Sequence, residues 1–222
     1  MKENKGRSIG MMKKVLGSMF LLLAVGLGAC SDDNNIEEEI HGHLEETVEK
    51  ENELADTQEE IADREQEDQD IYEEIVDLEQ DDDAKLDSLA DEAISLLEER
   101  EEYMEEERKT MQLSEEEFQK LEPLIEKEED TDKKDKLKNM YQAMIERYDA
   151  YENVYNEYTA SIESSETLYN ELMKEDVDEE SIYDNIDEVN QSYEKIADVY
   201  ETFNDKTEEF NELKQKYYDS IT

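Results

Sequence analysis

One cysteine and two histidines stand among the 222 residues, so thiol and imidazole chemistry is confined to three positions. Cys30 follows Leu27-Gly28-Ala29, and the small residues at 28 and 29 let a processing peptidase approach the backbone closely. His41-Gly42-His43 is flanked by Glu37, Glu38, Glu39, Glu45 and Glu46. A His-x-His pair with a nearby carboxylate can hold zinc. Glu38-Glu39-Ile40-His41 also contains Glu-x-x-His, half of the ligand set of a di-iron helical bundle. Such bundles need two of these motifs, and the chain has no second histidine pair. A solvated pair is therefore expected, and no metal ligand is assigned. Carboxylates are too abundant for any one pair to mark acid–base catalysis. The chain lacks a Ser/His/Asp or Cys/His constellation and a phosphate-binding loop, so no catalytic or cofactor-binding residue is assigned and an enzyme is not expected.

The residues ahead of Cys30 give it a role. Lys2, Lys5, Arg7, Lys13 and Lys14 form a basic stretch, and an apolar run over 15–26 follows. Basic, then apolar, then small is the order of a secretory signal, and the run is too short to span a bilayer comfortably. Leu27-Gly28-Ala29-Cys30 resembles the lipobox of bacterial lipoproteins. The resemblance implies that the Cys30 thiol is alkylated with diacylglycerol and that cleavage falls between Ala29 and Cys30. Two acyl chains suffice for stable anchoring where one does not. The expected organisation is a signal peptide over 1–29, a lipidated tether over 30–35 and a helical domain over 36–222. The expected location is the extracytoplasmic face of the bacterial cell membrane, in the cell envelope.

Charge limits the partners. The net charge is −46, and residues 1–29 contribute +4, so the remainder carries −50. A polyanion does not bind nucleic acid phosphates. Anionic lipid headgroups repel it too, which leaves the acyl anchor to hold it at the membrane. With no second cysteine, an intramolecular disulfide is impossible.

Gly42 is the last glycine and Pro123 the only proline. Sheets and barrels need such residues for tight turns, so a β-containing fold is excluded. Four segments instead carry apolar residues alternately four and three apart, the heptad signature of packed helices. The first reads Ile40, Leu44, Val48, Leu54, Ala55, Ile61, Ala62, Tyr72, Ile75 and Val76, weakening between Arg64 and Asp70. The second runs from Leu86 to Ile125 and includes Ala90, Leu97, Arg100, Met104, Glu107, Met111, Ser114 and Phe118. The third runs from Leu137 to Leu172 through Tyr141, Met144, Tyr148, Tyr151, Tyr155, Tyr158, Ile162, Ser165 and Tyr169. The fourth runs from Ile182 to Ile221 through Tyr193, Ile196, Tyr200, Phe203, Thr207, Phe210, Lys214 and Tyr217.

Acidic clusters at 81–83, 129–132 and 175–178 separate the segments, and Asp and Thr are favoured N-caps. Short connections make neighbouring helices antiparallel. The predicted fold is all-α: an elongated antiparallel four-helix, coiled-coil-like bundle with helices of about 40 residues, roughly 60 Å each. Pro123 should kink or break the second helix, and Ser114-Glu115-Glu116-Glu117 matches a capping box that offers an alternative start.

Eleven of the thirteen tyrosines lie beyond residue 140. Most hold seam positions, where a buried ring with its hydroxyl at the wet rim is expected. Tyr183 and Tyr218 fall off the seam and are the candidates for exposed stacking on sugar rings. Arg100, Glu107, Ser165 and Lys214, polar residues in seam positions, read as devices that set register.

A lipobox cysteine followed by an acidic, tyrosine-bearing helical body resembles the cell-wall-binding lipoproteins of the YkyA type from Gram-positive bacteria. That resemblance implies an envelope location and a wall interaction and brings no catalytic residues. The function expected is a membrane-anchored, non-enzymatic helical interaction or structural module. Its candidate partners are the membrane through the lipid, and wall polymer or an envelope protein. The alternative is a ligand-capturing lipoprotein that binds divalent cations through carboxylate clusters.

Overall fold

The computed structural model describes residues 35–79, 82–174, 176 and 178–221. Among them are six α-helices: α1 (Asn35–Asn52), α2 (Leu54–Val76), α3 (Asp83–Phe118), α4 (Glu122–Lys127), α5 (Thr131–Leu172) and α6 (Glu179–Tyr218). No strand occurs among the described residues, as the scarcity of glycine and proline requires. The acidic clusters start helices as expected. The Asp130 carboxylate accepts from the amides of Asp132 and Lys133 at 2.9 and 3.0 Å, and that of Asp178 accepts from Glu180 at 3.2 Å.

The helices build two compact units. The first comprises Asp56–Glu106 and Val154–Tyr200; the described part of the second comprises 35–55, Glu107–Asn153 and 201–221. Helices α3, α5 and α6 contribute to both. In the first unit Glu60, Arg64 and Glu74 of α2 meet Tyr103, Glu99 and Lys85 of α3, a descending order that makes the two helices antiparallel. In the second, Arg108, Ser114 and Phe118 of α3 meet Glu152, Tyr148 and Tyr141 of α5. Glu146 and Arg147 of α5 meet Lys206 and Thr207 of α6, while Tyr151, a turn further along α5, meets the earlier Phe203, so these two helices are antiparallel as well. Segments of α2, α3, α5 and α6 build the first unit, and the second draws on α1, α3, α4, α5 and α6.

Several expectations need correction. The first segment is two helices, separated at Glu53, whose amide donates to Lys50 O at 3.1 Å in a four-residue turn. The buried positions keep their spacing across it: Ile40, Leu44, Thr47, Glu51, Leu54 and Ile61. Val48 is half-buried and Ala55 and Ala62 are exposed, because the seam slots next to them are taken by Thr47, Leu54 and Ile61. In α5 the inward residue is Val154, 0 % exposed, and Tyr155 is half-buried beside it. Ser114 starts no helix; it lies inside α3.

Pro123 acts later than the capping box suggested. Helix α3 ends at Phe118, a 3-10 turn covers Gln119–Leu121, and the proline falls in the first turn of α4. The missing amide is harmless there. Phe118, Leu121 and Glu122 keep right-handed helical dihedrals, and the Glu122 amide donates to Gln119 O.

Candidate functional site

Polar residues placed inside the two units form two networks, each centred on an arginine. In the first unit Arg100 is fully buried on α3. Its Nη1 donates to Asp68 Oδ2 at 3.1 Å and its Nε to the Tyr158 hydroxyl at 3.0 Å. The Tyr158 hydroxyl donates to Glu65 at 2.6 Å, and that of Tyr169 donates to Asp68 Oδ1 at 2.6 Å. Burial pushes the Asp68 carboxyl up, and Arg100 and the Tyr169 hydroxyl pull it back only in part. The weakening between Arg64 and Asp70 therefore marks the acidic half of a buried network.

The second unit repeats the device with other residues. Arg147 of α5 forms a bidentate pair with Glu51 of α1, both bonds at 2.9 Å, and donates from Nε to Thr207 of α6 at 2.8 Å. Ser114 of α3 donates to Glu51 at 3.0 Å and lies 2.9 Å from the Tyr148 hydroxyl. One charge-assisted cluster thus ties four helices together. Arg147 also lies over the Phe203 ring, 4.6 Å from its centroid. These are fixing devices rather than reactive groups. Burial raises the Tyr148, Tyr158 and Tyr169 hydroxyls well above their usual range, so none is poised as a base. A cavity of about 20 Å³ beside Asp68, Tyr72, Tyr169 and Tyr193 has room for about one water.

Of the inward polar residues foreseen, Arg100, Glu107, Ser165 and Lys214 are all buried. Arg147, Glu51 and Asp68 escaped notice, since an apolar pattern does not pick charges. Tyr183 is 48 % exposed, as expected for a residue off the seam. Tyr218 is not: it is half-buried, with the His41 ring edge-on at 6.1 Å.

The two histidines part company. Residues two apart on a helix lie about 200° apart round its axis, so a helical His-x-His cannot chelate one ion. His41 lies 3.8 Å from Glu45 on its own helix. His43 faces α3, with Nδ1 at 2.7 Å from Glu117 Oε1. Lys120 Nζ donates to Glu117 Oε2 at 2.5 Å. Burial opposes ionisation of Glu117, yet Lys120, His43 and Glu46 together bring its carboxyl down to about 2. Donor atoms of His43, Glu46 and Glu117 all lie within 4.8 Å of one another. Ala29 and Cys30, the expected cleavage and lipidation residues, lie outside the described residues.

Among the described residues no helix is long and apolar enough to cross a membrane. No curated protein matches the chain. A solved structure, the 1.6 Å crystal structure of a conserved protein of unknown function from Staphylococcus aureus, is similar with a TM-score of 0.74 and 17 % identity. The similarity covers 86 % of this chain and 98 % of that one, and it is a likeness of fold. Residues 35–220 match the family described as "putative cell-wall binding lipoprotein", a span that takes in nearly every helical residue set out above. The chain belongs to the YkyA family.

Proposed function

We propose that this protein is a non-enzymatic helical module, held by a lipid on Cys30 at the outer face of the bacterial cell membrane, that associates with the cell wall. The observation that carries the reading is the family match over 35–220. The chemistry of the interior supports the non-enzymatic part, because the buried arginines and tyrosines are spent on one another. A body of charge −50 meets an anionic, phosphate-rich wall unfavourably. Contact then runs through divalent cations, or through cationic amines on the wall polymer.

Two measurements test this. Cys30→Ala should abolish incorporation of a fatty-acid analogue and release the protein from membranes; continued labelling refutes anchoring at Cys30. Co-sedimentation with isolated walls should depend on magnesium and fall on chelation. Binding that is absent with magnesium present, or that ignores both chelator and salt, overturns the proposed contact.

A further inference from the structure

The His43, Glu46 and Glu117 juxtaposition carries an inference independent of wall association. Its parts come from two helices of one unit: His43 and Glu46 stand three apart on α1, one above the other, and Glu117 reaches across from α3. His43-x-x-Glu46 is thus the spacing that matters, and Glu38-x-x-His41 is not. Glu117 is only 5 % exposed, and a Glu46 carboxylate oxygen lies within 4.8 Å of its own. Two carboxylates this close, one of them buried, are held together best by a cation between them. Lys120 covers only Oε2 of Glu117; Oε1 is turned to the imidazole.

We infer that His43 Nδ1, Glu117 Oε1 and a Glu46 oxygen form a binding site for a first-row transition-metal dication, of which zinc is the type. An imidazole nitrogen with two carboxylates selects this class over calcium and magnesium, which prefer all-oxygen shells. Ligand atoms about 2.0 Å from zinc at a tetrahedral angle stand about 3.3 Å apart. The present 2.7 Å contact of His43 with Glu117 therefore spreads a little, and the Glu46 oxygen draws in. Glu46 is exposed and the His43 side chain 29 % exposed, which gives the ion an entry path from solvent. Lys120, fixed on the other oxygen, orients the Glu117 carboxylate, the part an outer partner plays at a metal site. Water completes the fourth position, and with Nδ1 on the metal the ring carries its proton on Nε2.

The test is zinc titration of the full chain in detergent, in excess magnesium to occupy the oxygen-only surface carboxylates. One equivalent should bind saturably. His43→Ala and Glu46→Gln should each weaken it by about tenfold or more, the range seen when a metal shell is damaged. His41→Ala should stay within about twofold, because that ring packs against Tyr218. Circular dichroism of each variant checks that the helices persist, and Glu46, being exposed, is the variant least able to disturb folding. Cobalt(II) in place of zinc should give the strong visible absorption of a four-coordinate ion, lost in His43→Ala. The inference is overturned by the absence of a saturable equivalent, by full binding in His43→Ala, or by equal losses in His41→Ala and His43→Ala.

Discussion

Lys214 lies over the Phe210 ring, 5.3 Å from its centroid, with Glu51 and Arg147 in its field. Burial lowers its pKa to about 8, Glu51 pulls it up and Arg147 adds to the fall. Below about pH 8 the ammonium is charged both folded and unfolded, and its burial cost is fully present. Between about pH 8 and the unfolded value of 10.5 the folded protein has already lost the proton, so stability rises with pH. The buried hydroxyls of Tyr148, Tyr158 and Tyr169 act in the opposite sense: their stabilisation is present below the unfolded value of 10.0 and lost above it. Urea midpoints of the parent chain minus those of Lys214→Met should therefore climb from about pH 8 to about 9.5. A flat difference curve shows that Lys214 is not desolvated. At this scale the sequence shows which polar residues point inward when they fill a heptad slot, as Arg100 and Lys214 do. It does not show their partners. Asp68 and Glu51 look like ordinary surface acids until an arginine 32 or 96 residues away is seen to meet them.

Helix α5 shows how far periodicity reaches. Where one inward slot has two adjacent candidates, the heptad spacing points to the aromatic one, and the structure turns Val154 inward and leaves Tyr155 at the flank. Packed helices of a bundle bury a stripe wider than the a and d positions, and a phenol is better placed with its hydroxyl at the edge. Val154→Asp should therefore cost about 3 kcal/mol or more in urea unfolding, because the charge is buried without a partner. Tyr155→Asp should cost clearly less. Phe203→Asp, at a side chain 0 % exposed, belongs with Val154→Asp, and exposed Glu201→Lys should stay within about 0.5 kcal/mol. If Tyr155→Asp proves the more damaging of the first pair, the assignment of the inward slot is wrong. Helix starts were readable from Asp130 and Asp178 because a cap is a local bond. The break at Glu53 is marked only by Asn52, a weak helix former among strong ones, and one such residue also sits inside many continuous helices.

At the scale of the whole chain, charge is the governing term. A body of −50 repels itself when compact, and counter-ions screen that repulsion within a Debye length of about 8 Å at physiological ionic strength. The melting temperature by circular dichroism should rise from low to moderate salt, and rise further with millimolar divalent cation. A flat or falling melting temperature refutes this. Helix content and the fourfold arrangement were legible, since composition and spacing act everywhere along the chain. The division into two compact units was not, because it depends on which distant residues meet.

The pair of Arg147 with Glu51 has a consequence for the order of events at birth. Arg147 emerges from the ribosome 96 residues after Glu51, about 5 to 20 s later at ordinary elongation rates. Through that interval α1 lacks α5 and α6, and the end of α3 around Ser114, itself 63 residues later than Glu51, is the first part of the unit it can meet. With Thr47 and Glu51 in its inner stripe, the waiting segment stays hydrated and offers little for another nascent chain to stick to. A leucine at position 51 would fill the finished interior and leave the unfinished chain exposed.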